Sequence, residues 1–181
     1  VVYGNASGNN GGGIYNNGEL TLDGVNVYEN TCENDGAGIH NDDADDVIGT
    51  AAITDSDIYD NTAEAPDGDG GGINNDGEMT ITDGVISGNR AEGEGGVHGG
   101  GIDNDGDLEL VRSTIIGNVV SLDEDGGYGG GLENTGYLLV RDSLISDNRV
   151  EGGTELLGGG IYSQLNESRA DDGFRAGLWI I

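Results

Sequence analysis

The sequence predicts an all-β protein whose short strands stack, coil upon coil, as a parallel β-solenoid. A phrase close to Gly-Gly-Gly-Ile recurs along the 181 residues, with 25 to 34 residues from one copy to the next. Its apolar residue stands at Ile14, Ile39, Ile73, Ile102, Leu132 and Ile161. A unit of this length has too few inward apolar residues to fold alone, so copies must stack to bury them. We therefore expect about five to six coils.

Three short strands are expected in each coil, the first around the apolar residue of the phrase. The second alternates apolar and mostly polar residues, as at Leu20, Thr21 and Leu22, and therefore buries one face. The third carries one apolar residue, Val27 in the first coil. The glycine triplet suits a close backbone approach, and single glycines suit corners with a positive φ. These corner glycines are Gly18, Gly77, Gly106 and Gly136.

Two columns of asparagine keep the same register. Stacked amides can hydrogen-bond to one another along the axis and satisfy backbone groups at the corners. An asparagine that recurs in every coil serves the architecture, so we assign both columns a structural role. The columns are Asn16, Asn41, Asn75, Asn104 and Asn134, and Asn30, Asn61, Asn89, Asn118 and Asn148.

The phrases at residues 20–30 and 79–89, each beside a glycine triplet, resemble the right-handed parallel β-helix repeats of large secreted and surface proteins. They are similar to the Gly-Gly-Ala-Ile and Phe-x-x-Asn repeats of polymorphic outer-membrane proteins and to the wider pectate-lyase-like group. The resemblance covers residues 1 to about 163. It implies a right-handed parallel β-helix that is extracellular or at the cell surface. It leaves activity open, because the group contains lyases, hydrolases, adhesins and inert stalks.

Both ends of the sequence depart from a whole repeat. Residues 2–5 align with residues 86–89, so the chain begins inside a coil, and Ser163 stands where the last asparagine is expected. We expect residues 1–163 to form the repeats and residues 164–181 to form a cap or tail. The sequence is expected to be a piece of a larger polypeptide.

The composition is strongly acidic, with 35 Asp and Glu against six basic residues and a formal net charge of −29. Such self-repulsion destabilises a compact chain in dilute buffer and is screened at molar salt, which predicts a protein from a halophile. The alternative is that the carboxylates only keep the stack soluble. Because the surface is negative, nucleic acids and anionic membranes are excluded as partners and cations are favoured. No segment is long and apolar enough to enter a membrane directly. The single cysteine, Cys32, excludes an internal disulfide and is expected in a loop.

One outward column begins with three tyrosines, Tyr3, Tyr28 and Tyr59. Such an aromatic strip could take the apolar face of a sugar, and the alternative is stacking that strengthens the sheet.

A corner column contains Asp83, Arg112 and Asp142. The resemblance implies a lyase site here, in which acidic side chains hold Ca²⁺ against a uronate carboxylate and Arg112 abstracts the adjacent proton. The alternative is a salt-bridge ladder, because an arginine between two carboxylates is what charge balance selects in a stacked column.

Six further acidic residues are candidates for Ca²⁺ or Mg²⁺ binding between coils. Alternating carboxylates at 103, 105 and 107 resemble a calcium loop, but the later glycine and glutamate of an EF-hand are absent. Pairs of carboxylates are weak support for a glycosidase, because stacked coils place acids at such distances anyway. The candidates are Asp76, Glu78, Asp103, Asp105, Asp107 and Glu133.

The segments between each closing asparagine and the next triplet are expected to be loops at one edge. They span residues 31–35, 62–69, 90–98, 119–128 and 149–157. Such loops could wall a groove, or they are solvated filler. The two histidines, His40 and His98, lie at least two coils apart and are not expected to form a dyad.

Two classes of function follow. The first is a structural or adhesive segment of a secreted or cell-surface halophile protein, with polysaccharide or cell-surface glycan as partner. The alternative is a polysaccharide lyase or glycoside hydrolase acting on acidic polysaccharide. No cofactor is required for either, with Ca²⁺ or another divalent cation as the candidate ligand. An enzyme should carry polar residues that occur once, at a single groove, and here acids recur nearly everywhere, which favours the structural class.

Overall fold

The computed structural model describes residues 1–44, 47–64, 68–124, 126–164 and 177–181. Within these ranges the chain contains 29 β-strands and no helix. The strands form stacked parallel sheets that wind as a β-solenoid of about five turns, which confirms the predicted fold class. None of the described residues forms a helix of the length and apolar character that a membrane span requires.

Sheets I and II follow one another along each coil and have six parallel strands each. Sheet I contains β1 (Val2–Tyr3), β5 (Asn26–Tyr28), β11 (Asp57–Tyr59), β15 (Val85–Ser87), β20 (Thr114–Ile116) and β25 (Leu144–Ser146). Sheet II contains β2 (Ala6–Ser7), β6 (Thr31–Cys32), β12 (Thr62–Glu64), β16 (Arg90–Gly93), β21 (Val119–Leu122) and β26 (Arg149–Gly152).

Sheet III holds the apolar residue of the repeated phrase, and sheet IV holds the longest strands. Sheet III contains β3 (Ile14–Asn16), β7 (Ile39–Asn41), β13 (Ile73–Asn75), β18 (Ile102–Asn104), β23 (Leu132–Asn134) and β28 (Ile161–Ser163). Sheet IV contains β4 (Glu19–Asp23), β10 (Thr50–Thr54), β14 (Glu78–Thr82), β19 (Asp107–Val111), β24 (Tyr137–Arg141) and β29 (Gly177–Ile180). Residues 165–176 lie outside the described residues, and with them most of the expected cap or tail at 164–181.

Two smaller sheets complete the fold. Sheet V contains β17 (Val97–His98), β22 (Gly126–Tyr128) and β27 (Glu155–Leu157). An antiparallel hairpin of β8 (Asp43–Ala44) and β9 (Val47–Ile48) extends from the second coil. The amide stack on either side of this hairpin is uninterrupted, because Asn41 still bonds to Asn16 and Asn75.

The core follows the predicted register. Ile39 pairs with Ile73 and Ile73 with Ile102, so the same inward position repeats in each coil. All three are 0 % exposed. Burying each aliphatic side chain favours folding by roughly 1.5–3 kcal/mol, and stacking makes one continuous core from short units.

The prediction of three strands per coil is wrong, because the segment after each closing asparagine is a fourth strand. Cys32 lies in that strand and is 2 % exposed, so its predicted loop position is also wrong. Further along, Ala91, Val120 and Val97 form a second buried cluster with Leu122. Hence these parts of the 90–98 and 119–128 segments are core and not solvated filler. Other residues of the same segments, among them Arg90, Glu92 and Ser121, line an open groove of about 410 Å³.

Both asparagine columns form continuous ladders. In the first ladder, each side-chain amide donates to the next side-chain oxygen at 2.7–2.8 Å, and Asn134 donates to the Ser163 hydroxyl at 3.1 Å. In the second, the corresponding distances are 2.9–3.0 Å. Asn5, which the column assignment omitted, begins this ladder by donating to Asn30. Because the amides also bond to corner backbone groups, both columns are structural.

Three of the four corner glycines are required for space and not for a positive φ. Gly77, Gly106 and Gly136 do not have a positive φ. A Cβ on Gly106 would lie 2.0 Å from the carbonyl oxygen of Gly77, which lies in the preceding coil. The positive φ falls instead on the first glycine of the triplet, as at Gly36 (65°).

Gly106→Ala is expected to destabilise the chain by about 3 kcal/mol, because backbone must shift to admit the methyl group. Gly18 occupies the same column in the first coil, where an added Cβ meets nothing within 4 Å. Gly18→Ala is therefore the matched control, with a neutral or slightly stabilising effect of up to about 1 kcal/mol. Urea unfolding measures both, and equal losses would contradict the steric explanation.

Candidate functional site

The predicted tyrosine strip is present on sheet I. The ring centroids of Tyr3 and Tyr28 are 5.1 Å apart and those of Tyr28 and Tyr59 are 4.8 Å apart, with interplanar angles of 10° and 5°. The rings therefore cover much of one another's faces. Tyr28 lies between the other two rings, and each end of the stack, Tyr3 and Tyr59, has a tyrosine on one side only within the described residues. This geometry favours intercoil stacking over a platform for sugars.

Arg112 and Asp83 form a bidentate ion pair at an exposed corner. Arg112 donates from Nε to Asp83 Oδ1 at 2.8 Å and from a terminal nitrogen to Asp83 Oδ2 at 2.6 Å. The pair raises the pKa of Arg112 and lowers that of Asp83. A lyase base must be deprotonated to act, and the ion pair with Asp83 keeps Arg112 protonated. Within the described residues, Asp142 makes no comparable contact with Arg112. The arrangement favours the ion-pair alternative.

The six predicted metal-binding acids do not form one cluster. Glu78 and Asp107 pair with each other in sheet IV and line its outer face. Asp76 lies at the corner that precedes sheet IV, beside His40, with 3.7 Å between its Oδ2 and the histidine Nε2. Asp105 accepts a hydrogen bond from the Thr135 hydroxyl. Only Asp103 and Glu133 are both fully inside, at 4 % and 3 % exposed.

Asp103 and Glu133, which are buried, and Asp69 and Asp105, which are half-buried, form a group that we call the acidic corner. Asp103 pairs in register with Glu133 on one side and with Asn74 on the other. Asn74 donates from Nδ2 to Asp103 Oδ2 at 3.3 Å. The backbone amide of His98 donates to Asp69 Oδ1 at 2.6 Å, which holds Asp69 at the edge of the group.

Asp69 and Asn74 were missed as site residues. Asp69 lies in a segment expected to be a loop. Asn74 stands beside Asn75, a member of the recurring asparagine column, and its own position does not recur as asparagine. The signal in the sequence is a change of residue type from coil to coil at the position that follows the recurring apolar residue. That position holds Tyr15, His40, Asn74, Asp103, Glu133 and Tyr162.

Three carboxyl groups of the acidic corner are hard to ionise. Burial raises the pKa of Asp69 to about 8 and that of Glu133 to about 7, and it raises the pKa of Asp103 well above its usual range. The charge of Asp105 adds to each of these increases. The interaction between Asp103 and Glu133 raises the pKa of the first and lowers that of the second.

Glu133→Gln is expected to weaken the dependence of stability on pH. The pKa of Glu133 is raised from 4.5 to about 7 on folding, so its contribution is fully present below pH 4.5 and is lost as the pH rises through 7. Between about pH 5 and pH 7.5, the wild type should lose on the order of 2 kcal/mol more than the variant, which cannot ionise there.

Urea unfolding across this pH range, at molar KCl with a chelator, tests the effect. Glu155, on exposed strand β27, supplies the control Glu155→Gln, which should follow the wild type. The same pH profile in Glu133→Gln and in the wild type would refute the buried-carboxyl explanation.

A second group contains His40, Asp42 and Asp76. Their ligand atoms all lie within 4.8 Å of one another. His40 Nε2 is 3.6 Å from Asp42 and 3.3 Å from the Asn10 amide nitrogen, and burial lowers the pKa of the imidazole. His98 instead contacts Asp69 and Tyr128. The two histidines thus contact different partners, in agreement with the expectation that they form no dyad.

The outer face of sheet IV forms an open groove of about 560 Å³. Its floor carries small side chains, including Thr21, Ala52 and Thr80, and carboxylates lie among them at Glu78 and Asp107. An extended polymer could lie along such a surface, and the carboxylates would repel an anionic one.

The fold and these sites define a parallel β-solenoid with two asparagine ladders and one buried acidic corner. Comparison with family models, with curated proteins and with solved structures gives no match for the chain. The resemblance to polymorphic outer-membrane-protein and pectate-lyase-like repeats therefore stays a prediction beyond the solenoid itself.

Proposed function

We propose that the chain is a structural segment, with an adhesive surface, of a secreted or cell-surface protein from a halophile, and that it contacts glycans and binds divalent cations. The observation that supports this most directly is the pair of continuous amide ladders. Every coil is bonded to the next through buried side chains as well as strands, so the segment is a stiff rod that can hold other parts of a protein apart.

The groove on sheet IV is the surface we assign to glycan contact. It is open and crosses the coils, and its carboxylates can accept hydrogen bonds from sugar hydroxyls. Because those carboxylates repel an acidic polymer, the glycan of this proposal is neutral. The tyrosines of sheet I, whose ring faces are stacked on one another, support rigidity instead.

An enzymatic role is less well supported. The candidate lyase arginine, Arg112, is held by Asp83 in its charged form. Asp103 and Glu133, two carboxyl groups whose pKa is raised, are 4 % and 3 % exposed and are too deeply buried to touch a polysaccharide. Acid–base catalysis needs direct contact with the proton that moves.

The test is incubation of the whole chain with neutral and acidic polysaccharides at molar KCl with Ca²⁺. We expect co-sedimentation with an insoluble neutral glycan, no new reducing ends, and no ultraviolet absorbance from an unsaturated uronate. Thr80→Glu should abolish co-sedimentation, because it places bulk and charge on the groove floor. Thr154→Glu, at an exposed site away from sheet IV, should not. Cleavage that Arg112→Ala removes would replace this proposal with the lyase.

A further inference from the structure

We propose that the acidic corner binds one divalent cation of the calcium class between the neighbouring coils that carry Asp103 and Glu133. These two carboxylates are its ligands, and Asn74, one coil away, holds the Asp103 carboxylate by a hydrogen bond. The three residues are in register on β13, β18 and β23. The inference deepens the cation-binding part of the proposed function and rests on it, by naming the site and the ion.

Unpartnered oxygen atoms inside the fold support this assignment. Asn74 Oδ1, Asp103 Oδ1 and Glu133 Oε2 are all buried without a hydrogen-bond partner. Their side chains are 5 %, 4 % and 3 % exposed. A buried polar atom without a partner costs about 1–3 kcal/mol, and more when it is charged. The Asp103 and Glu133 oxygens lie on neighbouring coils of one column, and a cation bound between them satisfies both.

The charge of the corner favours the same ligand. Asp69 and Asp105 stand beside Asp103 and Glu133 and act on them electrostatically. The four arginines of the described chain all pair with carboxylates elsewhere, as Arg112 does with Asp83. Within the described residues, the corner thus has no arginine to balance its carboxylates. Only protons or a bound cation can do so at neutral pH.

The donor atoms and the coil spacing select the class of cation. Both proposed ligands are carboxylates, whose oxygens suit Ca²⁺ and Mg²⁺ better than metals that prefer nitrogen or sulfur. Adjacent strands lie about 4.8 Å apart. Two oxygens on opposite sides of Ca²⁺ are separated by about 4.6–5.2 Å, and on opposite sides of Mg²⁺ by about 4.0–4.2 Å. A site that bridges two rigid coils therefore favours Ca²⁺.

The neighbouring group of His40, Asp42 and Asp76 is the weaker candidate, although its ligand atoms are close together. Asp42 already accepts a hydrogen bond from the Tyr15 hydroxyl, and His40 Nε2 is in contact with the Asn10 amide. A metal there would have to displace existing partners, whereas the acidic corner has oxygens with none.

The experiment is calorimetric titration of the whole chain, freed of divalent ions by a chelator, with CaCl₂ at molar KCl and pH 7.5. We expect one Ca²⁺ per chain and at least tenfold weaker binding of Mg²⁺. Asp103→Asn and Glu133→Gln should each weaken Ca²⁺ binding at least tenfold. Asp55, exposed at another corner, supplies the matched control Asp55→Asn, which should bind Ca²⁺ as the wild type does.

Melting temperatures separate a lost site from a lost fold. In chelator, Asp103→Asn should melt no lower than the wild type, because the substitution removes an ionisable group from a buried site and keeps a side chain of the same size. Added Ca²⁺ should then raise the melting temperature of the wild type only. If Asp103→Asn does not fold, Glu133→Gln decides in the same way.

Equal Ca²⁺ binding by the wild type and both corner variants would overturn the proposal, and so would no binding by the wild type. Loss of binding in Asp55→Asn would do the same, because the ions would then be a diffuse counterion layer. If the wild type unfolds in chelator, refolding by Ca²⁺ supports the site and refolding by KCl alone opposes it. None of these outcomes alters co-sedimentation with neutral glycan, so failure of the cation site remains distinct from failure of the adhesive role.

Discussion

The melting temperature of the chain is expected to rise by roughly 10 °C as KCl is raised from about 0.1 M to about 1 M. The net charge is −29, and the described arginines neutralise only a few carboxylates. Over this range the Debye length falls from about 10 Å to about 3 Å, which removes most repulsion between exposed acids. For a chain of this size each kcal/mol of stability shifts the melting temperature by about 2–4 °C.

A charge-reduced variant isolates screening from other effects of salt. Asp55, Asp60, Asp142 and Asp147 are exposed and have positive φ values, a conformation that asparagine tolerates. Changing all four to Asn moves the net charge from −29 to −25 and should lower the salt dependence of melting. If the wild type melts at the same temperature in both KCl concentrations, the acids serve solubility and the halophile assignment is wrong.

The repeat made the fold predictable, because one register error would turn apolar residues outwards in every coil. The positions of Ile39, Ile73 and Ile102 alone imply a stack, and they pair as expected. The fourth strand was missed because its inward residues are small. Cys32, Ala63 and Ala91 give a weak hydrophobic signal, yet they recur two residues after each closing asparagine, and that recurrence was available in the sequence.

The site was harder to predict, because repetition makes most acids look equivalent. Asp76, Asp103 and Asp105 fall at similar corners in the sequence, but only Asp103 turns fully inwards. Whether a corner residue is buried depends on what covers it from the neighbouring segment. Asp69 and His98 supply part of that cover, from stretches that the sequence marks only as variable in length. The change of residue type from coil to coil, at the position after the recurring apolar residue, therefore predicts the site better than the presence of acidic residues does.

The acidic surface and the acidic corner respond to different agents. Exposed carboxylates are relieved by any salt at sufficient concentration, since screening does not depend on ion identity. Asp103 and Glu133, buried between coils, are reached by screening much less and need a proton or a bound ion. Salt dependence should therefore survive in Asp103→Asn, while the specific effect of Ca²⁺ should not.

Asn89→Ala is expected to destabilise the chain by about 4 kcal/mol, which lowers its melting temperature by roughly 8–16 °C. Asn89 is 0 % exposed and makes four hydrogen bonds through its side chain. Its oxygen accepts from the backbone and side-chain nitrogens of Asn61, and its amide donates to the Ile58 carbonyl and to Asn118. Alanine leaves these partners buried and unsatisfied at about 1–3 kcal/mol each, partly offset by relaxation.

Asn5, at the exposed end of the same ladder, supplies the matched control, because it bonds only to Asn30 in that ladder. Asn5→Ala should cost less than about 1 kcal/mol, since water can replace an exposed partner. Urea unfolding at molar KCl compares the two variants directly. A loss that is equally small at both positions would mean that strand pairing alone holds the coils together, and the stiffness assigned to the ladders in the proposed function would have to be withdrawn.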